Sequence, residues 1–181
     1  PDASLVLIQA TDGYAFCISM DEVQENDALL LSCQGKGKDV SCNIVGAQNS
    51  KALVRGVSEM TLIAPATLEL SGALAQPGPF DPDDWQFQMD SIRLDVGDGA
   101  RKLQGAPLGV VIRSMEPREG AETVVAYGDD GAQPVVLPLA EVLADDDVCI
   151  FTVIGQDEIS FALARMNGQI LVPHVTRIKV Q

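Results

Sequence analysis

Three sets of residues have types and spacings that could do chemistry: the carboxylates of Asp81-Pro82-Asp83-Asp84, the pair Asp95 and Asp98, and four cysteines with a lone histidine. Clustered carboxylates are what calcium prefers, so Asp81, Asp83 and Asp84 are candidate calcium ligands, with Asp145-Asp146-Asp147 a second acidic cluster. The first cluster is not an EF-hand, because it has no Gly at its sixth position and no Glu at its twelfth. Acidic loops are also simply solvated, and Asp is a natural helix N-cap. Asp95 and Asp98 are weak as an acid/base pair, since nothing in the sequence around them would shift a pKa within a defined pocket. Cys17, Cys33, Cys42 and Cys149 contain no CxxC pair, and with His174 the only histidine the pattern argues against a structural zinc site. Cys33 and Cys42 flank the turn-like Gly35-Lys36-Gly37-Lys38. Buried free thiols are their default reading, and a disulfide across a hairpin is the alternative.

Other motifs are weaker. Gly97-x-Gly99 lacks the G-x-G-x-x-G spacing, and Gly35-Lys36-Gly37-Lys38 has no Ser or Thr to complete a P-loop. His174 has no nucleophile motif beside it and reads as a strand-edge histidine. Trp85 reads as a core anchor.

Composition narrows the partners. Twelve Lys and Arg against 26 Asp and Glu give a net charge of −14. Such a chain has no basic field for nucleic acid or anionic lipid. Aromatic residues make up 4%, too few for base-stacking platforms. No apolar run approaches the ~18 residues of a membrane span. Hydrophobic residues at 46% are enough for a real core. The sequence opens at Pro1 without Met or an apolar signal region, which reads as a processed or trimmed chain. A removed export signal would put the protein in the periplasm or outside the cell.

The elements that must position these residues are mostly short strands. Ser4–Ala10 is a nearly continuous apolar run, as in a strand buried on both faces. Asp12-Gly13 marks a turn, and Tyr14–Ile18 follows as a strand. Ser19 three residues before Glu22 forms a capping box that starts a short helix. Ala28–Cys33 and Asp39–Val45 read as a strand pair, with Gly56–Ala64 and Ala66–Ser71 as further strands. Gln76–Asp84 is a loop and Asp90–Val96 a strand. Ala106–Met115 places Leu108, Val111, Ile112 and Met115 at helical spacing. Thr123–Tyr127 is a strand, Asp130-Gly131 a turn, and Pro138 opens a helix through Leu143. Val148–Ile154, Glu158–Arg165 and Val175–Val180 close the chain as strands.

Leu5–Ile63 and Thr123–Gln181 run in parallel: apolar strand, Asp-Gly turn, strand, short helix, acidic step into a strand, closing strand. Asp27-Ala28-Leu29-Leu30-Leu31 lies against Asp146-Asp147-Val148-Cys149-Ile150 in this matching. A period of about 60 residues suits duplicated domains rather than a solenoid.

The order Leu68-Glu69-Leu70-Ser71-Gly72, Gly105-Ala106-Pro107-Leu108, Asp130-Gly131, Leu137-Pro138-Leu139 and His174-Val175-Thr176-Arg177-Ile178-Lys179-Val180 resembles the oxidoreductase molybdopterin-binding domain of the sulfite-oxidase type. The resemblance covers about residues 66–181, and the first stretch matches only its back half, so that its front half is missing from the chain. It implies an α+β, predominantly β fold of mixed sheets with a few short helices and an internal repeat. Residues 1–64 would be a partial unit and residues 65–181 a fuller one.

In catalytic members of that family a loop cysteine ligates molybdenum, as suits a soft thiolate. The comparable loop here, residues 94–101, has Asp95 near that place and no cysteine. Asp95, Asp98 and Arg101 would be its degenerate cofactor-binding residues, and Asp95 and Asp98 would repel an anionic phosphate. The implied function is a non-catalytic binding or interaction module with no catalytic residues and no cofactor, molybdopterin being disfavoured. The alternatives are a molybdopterin-dependent oxidoreductase or its accessory domain, and a calcium-stabilised extracytoplasmic structural module. A protein partner or a homo-oligomer fits the leading reading, through a strand edge left unpaired by the truncated first copy. Nucleic acid and membrane insertion do not fit it.

Overall fold

The computed structural model of the chain describes residues 5–12, 14–36, 40–48, 53–63, 66–85, 90–95, 100–129, 131, 133–155 and 159–181. It forms two units, Pro1–Pro65 with Ile154–Ile159, and Ala66–Val153 with Ser160–Gln181. The fold is α+β and predominantly β, with mixed sheets and short helices.

The first unit is built on β1 (Leu5–Ala10), whose apolar run is buried on both faces. Its neighbours are β2 (Ala15–Ser19) and β5 (Val57–Ile63), both antiparallel to it, in the order β2-β1-β5. Asp12 orders the β1–β2 turn by accepting a hydrogen bond from the Tyr14 N–H at 3.0 Å, and Gly13 lies outside the described residues. Ser19 then starts α1 (Met20–Glu25), its Oγ accepting from the Glu22 N–H at 3.0 Å. Val6, Ile8, Ala10, Ile18, Ile44 and Val54 form the core of this unit.

The hairpin of β3 (Leu30–Gln34) and β4 (Ser41–Val45) corrects the default reading of two cysteines. Its register sets Cys33 directly opposite Cys42, and the two form a disulfide with Cα atoms 4.1 Å apart. Adjacent strands bring such a pair within disulfide reach without displacing backbone, and neither cysteine is buried. Closing this short loop contributes about 2–3 kcal/mol in the chain-entropy account. Gly37 and Lys38 of the intervening turn, and Asp39, lie outside the described residues.

The second unit contains two five-stranded sheets. One has the order β11-β10-β15-β6-β7, built from β6 (Glu69–Gly72), β7 (Gly78–Pro79), β10 (Thr123–Gly128), β11 (Val135–Pro138) and β15 (Val175–Val180). The other has the order β14-β13-β12-β9-β8, built from β8 (Asp90–Asp95), β9 (Ala100–Pro107), β12 (Val148–Ile154), β13 (Ile159–Arg165) and β14 (Ile170–Val172). Helices α2 (Leu108–Ser114) and α3 (Leu139–Ala144) bury Leu108, Val111, Ile112, Leu139 and Val142 in the main core, with Leu70, Ile178 and Val180 of the first sheet and Ile150 and Leu163 of the second. A smaller core on the other face of the second sheet gathers Leu94, Cys149, Phe151, Val153, Ala162 and Ala164.

Three expectations change. The helix expected at Ala106–Met115 spans Leu108–Ser114, because Pro107 is extended (φ −60, ψ 123) and acts as its N-cap. The helix expected from Pro138 begins at Leu139 for the same reason, with Pro138 ending β11. Strand β9 follows the segment expected as a loop, and it pairs antiparallel with β8 from Asp90↔Gly105 to Asp95↔Ala100. Its polar sequence, with Arg101 and Lys102 at its start, gives no apolar alternation to read. Asp130, Glu158, and the glycines of Gly97-x-Gly99 fall outside the described residues.

The sheets around β1 and β10 share a pattern. Each central strand pairs antiparallel with the strand after its turn, and with the closing strand of its stretch. Each closing pair shifts register at one place, Gln9/Ala10 against Glu59 and Val57, and Tyr127/Gly128 against Arg177 and Val175. Helices α1 and α3 each span six residues, and each is stopped by a cap N–H donating to a glutamate carbonyl, that of Glu22 or Glu141. They differ at the outer edge: β15 pairs in parallel with β6, whereas among the described residues β5 pairs with β1 alone.

Candidate functional site

Asp81 precedes a 3-10 turn, Pro82–Trp85, in which the Asp84 N–H donates to the Asp81 carbonyl at 3.3 Å. Among the described residues no three His, Cys, Asp or Glu side chains converge to hold a metal. Asp83 sits within the turn backbone. In the second cluster Asp145 accepts from the Asp147 N–H at 3.1 Å, Asp146 pairs with Arg113 at 3.3 Å, and Asp147 pairs with Arg165 at 2.6 Å. Each carboxylate is therefore turned to a different partner.

Asp95 ends β8 on the surface, opposite Ala100, and Arg101 occupies the next register position, opposite Leu94. Asp98 lies outside the described residues. The hairpin sequence supplies no thiol. Cys149 on β12 faces Pro107 across the sheet, but it is fully buried, with its Sγ 3.4 Å from the Asp146 carbonyl. His174 is half-buried, and its carbonyl accepts from the Asp129 N–H at 3.1 Å.

A cleft of about 250 Å³ lies elsewhere in the second unit, lined by Leu137, Glu141, Val142, Ala144, Asp145, Asp147, Val148 and Arg165. The Arg165–Asp147 ion pair lies in its wall, and none of its lining comes from the β8–β9 hairpin. Sequence reasoning singled out only Asp145 and Asp147 of these residues.

Cys17 on β2 is a free thiol, and burial pushes its pKa from the ordinary 9.0 up to about 11. The thiolate is the reactive form, so alkylation of Cys17 at pH 8 is expected to run about a hundredfold slower than for an ordinary thiol, as two pKa units dictate. The folded pKa lies above the unfolded one. The Cys17 contribution to stability is therefore expected to be level below pH ~9 and to fall as pH rises toward ~11. Iodoacetamide kinetics, and unfolding across that window with and without Cys17→Ala, check both points; a slope unchanged by the substitution would refute the assignment.

The geometry that sequence reasoning did not resolve is the β5 edge. Register places Met60 opposite Ile8 and Leu62 opposite Val6, on the sheet face that carries the unit's core. Met60 is nevertheless 47% exposed and Leu62 63%. At the matching positions of β15, Ile178 lies opposite Ala126 and Val180 opposite Val124. These two are 0% and 1% exposed, with Leu70 of β6 beside Ile178. The β3–β4 hairpin is similarly bare, with Leu30 58% and Leu31 51% exposed. The alternation Val57-Ser58-Glu59-Met60-Thr61-Leu62-Ile63 identifies a strand, but no local signal says which apolar side chains lack a cover.

No family model matches the chain, and no curated protein matches it. Among solved structures it is similar to the sulfane dehydrogenase SoxCD from Paracoccus pantotrophus, at 14% identity and a TM-score of 0.45. The match covers 95% of this chain and 55% of that one, so the chain spans about half the length of the structure it matches.

Proposed function

We propose that the chain is a non-catalytic binding module in which residues 1–64 resemble the back half of residues 65–181 and bind a protein partner along an uncovered strand edge. One observation carries this reading: Met60 and Leu62 are exposed where Ile178 and Val180 are buried. In the second unit the difference is made by β6, which pairs along β15, together with the packing of α2 into the same core. Leu30 and Leu31 support it. Their counterparts in the repeat, Cys149 and Ile150, are 0% and 1% exposed and lie against β9. The bare positions of the first unit thus correspond to those that the front half covers in the second. Exposed apolar side chains grouped on strands are the usual sign of an interaction surface.

The donor set argues against molybdopterin. The β8–β9 hairpin carries Asp95 and no cysteine, and the nearest thiol across the sheet is buried. Protein purified from a host that makes the cofactor is expected to carry molybdenum far below one atom per chain. Elemental analysis checks this, and stoichiometric molybdenum would overturn the non-catalytic reading.

A further inference from the structure

We infer that the open edge of β5 takes a basic, alternately apolar segment of a partner protein as a parallel strand, an inference that rests on the reading just given. Strand β6 is the template. Its register on β15 is Arg177↔Glu69, Ile178↔Leu70, Lys179↔Ser71 and Val180↔Gly72. The matching positions on β5, fixed by the shared register shift, are Glu59, Met60, Thr61 and Leu62.

Each position then states a requirement. Opposite Met60 the incoming strand needs an apolar side chain, as Leu70 supplies opposite Ile178. Opposite Leu62 it needs a glycine: at Gly72 the φ is +94 and an added Cβ would overlap the Val180 carbonyl oxygen. Opposite Glu59 the sign of charge reverses. In the second unit a cation on β15 faces an anion on β6. In the first unit the anion is on β5, so its complement is Lys or Arg. Opposite charges across a strand pair stabilise it and like charges do the reverse.

The same argument decides against a second copy of this chain. Its own β6 would bring Glu69 against Glu59, and each copy carries a net charge of −14. A strand added at an edge gains affinity from main-chain hydrogen bonds, and specificity from alternate side chains. The required pattern is therefore basic, apolar, any, glycine, in an extended partner segment.

The test uses the full chain at ~0.15 M salt, where long-range attraction between exposed charges is largely screened. Three labelled peptides are compared: a copy of residues 66–74, the same copy with Lys in place of Glu69, and a scramble of the Lys peptide. The Lys peptide is expected to bind about fivefold tighter than the unaltered copy, and the scramble not at all. Glu59→Lys is expected to invert that preference. Leu62→Asp, at an exposed position that the fold does not need, is expected to abolish binding of both. Equal affinities unaffected by Glu59→Lys would overturn the basic-segment inference while leaving the open edge standing. Failure of every peptide, or binding unaffected by Leu62→Asp, would overturn the open-edge reading with it. A dimer in sedimentation that Leu62→Asp dissolves would make a second copy the occupant and overturn the inference.

Discussion

Gly72→Ala is expected to destabilise the second unit by about 3 kcal/mol or more. Two costs coincide at this residue. Its φ of +94 lies in the region that side chains rarely adopt. Its Cβ would also enter the Val180 carbonyl oxygen, which is itself engaged, accepting from the Ala73 N–H at 2.7 Å. Backbone cannot rotate away as a side-chain tip can. Relief requires β6 to move off β15, and that parallel ladder is what seats Leu70 beside Ile178. Gly120 separates the two costs: its φ is +87 but nothing lies within 4 Å of an added Cβ. Gly120→Ala is expected to cost only about 1 kcal/mol. Denaturant unfolding of both variants is the measurement. Similar losses at the two positions would show that the β6–β15 contact is not as close as described.

The sequence carries most strands of both units to within two or three residues, because long apolar runs such as Leu5–Ala10 and Val148–Ile154 leave little choice of conformation, but it misses the short β7 and β14. It carries the Ser19 cap as well, since one hydroxyl and one N–H three residues on are enough to define it. Strand β9 was not legible. Its pairing with β8 and β12 is a long-range matter, and half of its residues are polar or glycine. The disulfide was legible only as one of two alternatives, since the choice turns on a register that sequence spacing does not fix. The carboxylates raised a calcium reading because a one-dimensional string shows their proximity and hides their partners. In the fold, Arg113 and Arg165, distant in sequence, draw Asp146 and Asp147 apart.

The open edge was legible in part. Matching Leu5–Ile63 to Thr123–Gln181 pairs the first stretch with the back half of the second and points to the closing strand as the place to look. Only the registers show which of its residues are bare. The same residue types, Met and Leu in an alternating strand, would be core in one unit and surface in the other. What separates them is a strand contributed from more than 100 residues away along the chain, β6 to β15. Burial of this kind is a property of topology, so composition and periodicity are silent on it.

Phe151→Ala is expected to cost about 3–5 kcal/mol, the range for emptying an aromatic site in a closed core. Phe151 is fully buried on β12, and its cross-strand partner on β9 is Gly105. The absence of a side chain there is what admits the ring: a Cβ at position 105 would come within 2.6 Å of Cδ1 and 2.8 Å of Cζ. The pair therefore behaves as one packing unit, and its energetics should not add. Gly105→Ala alone forces the ring out of place and is expected to cost about 1–3 kcal/mol. In the Phe151→Ala background the same methyl group enters space the ring has left, so Gly105→Ala is expected to be neutral or to recover part of the loss. A double-mutant cycle by denaturant unfolding reads the coupling directly, about 1–3 kcal/mol in the favourable direction for contacting residues. Additive losses would mean that the ring does not lie over Gly105. A cycle of this sign would place β9, the strand that leads into α2, against β12 in solution.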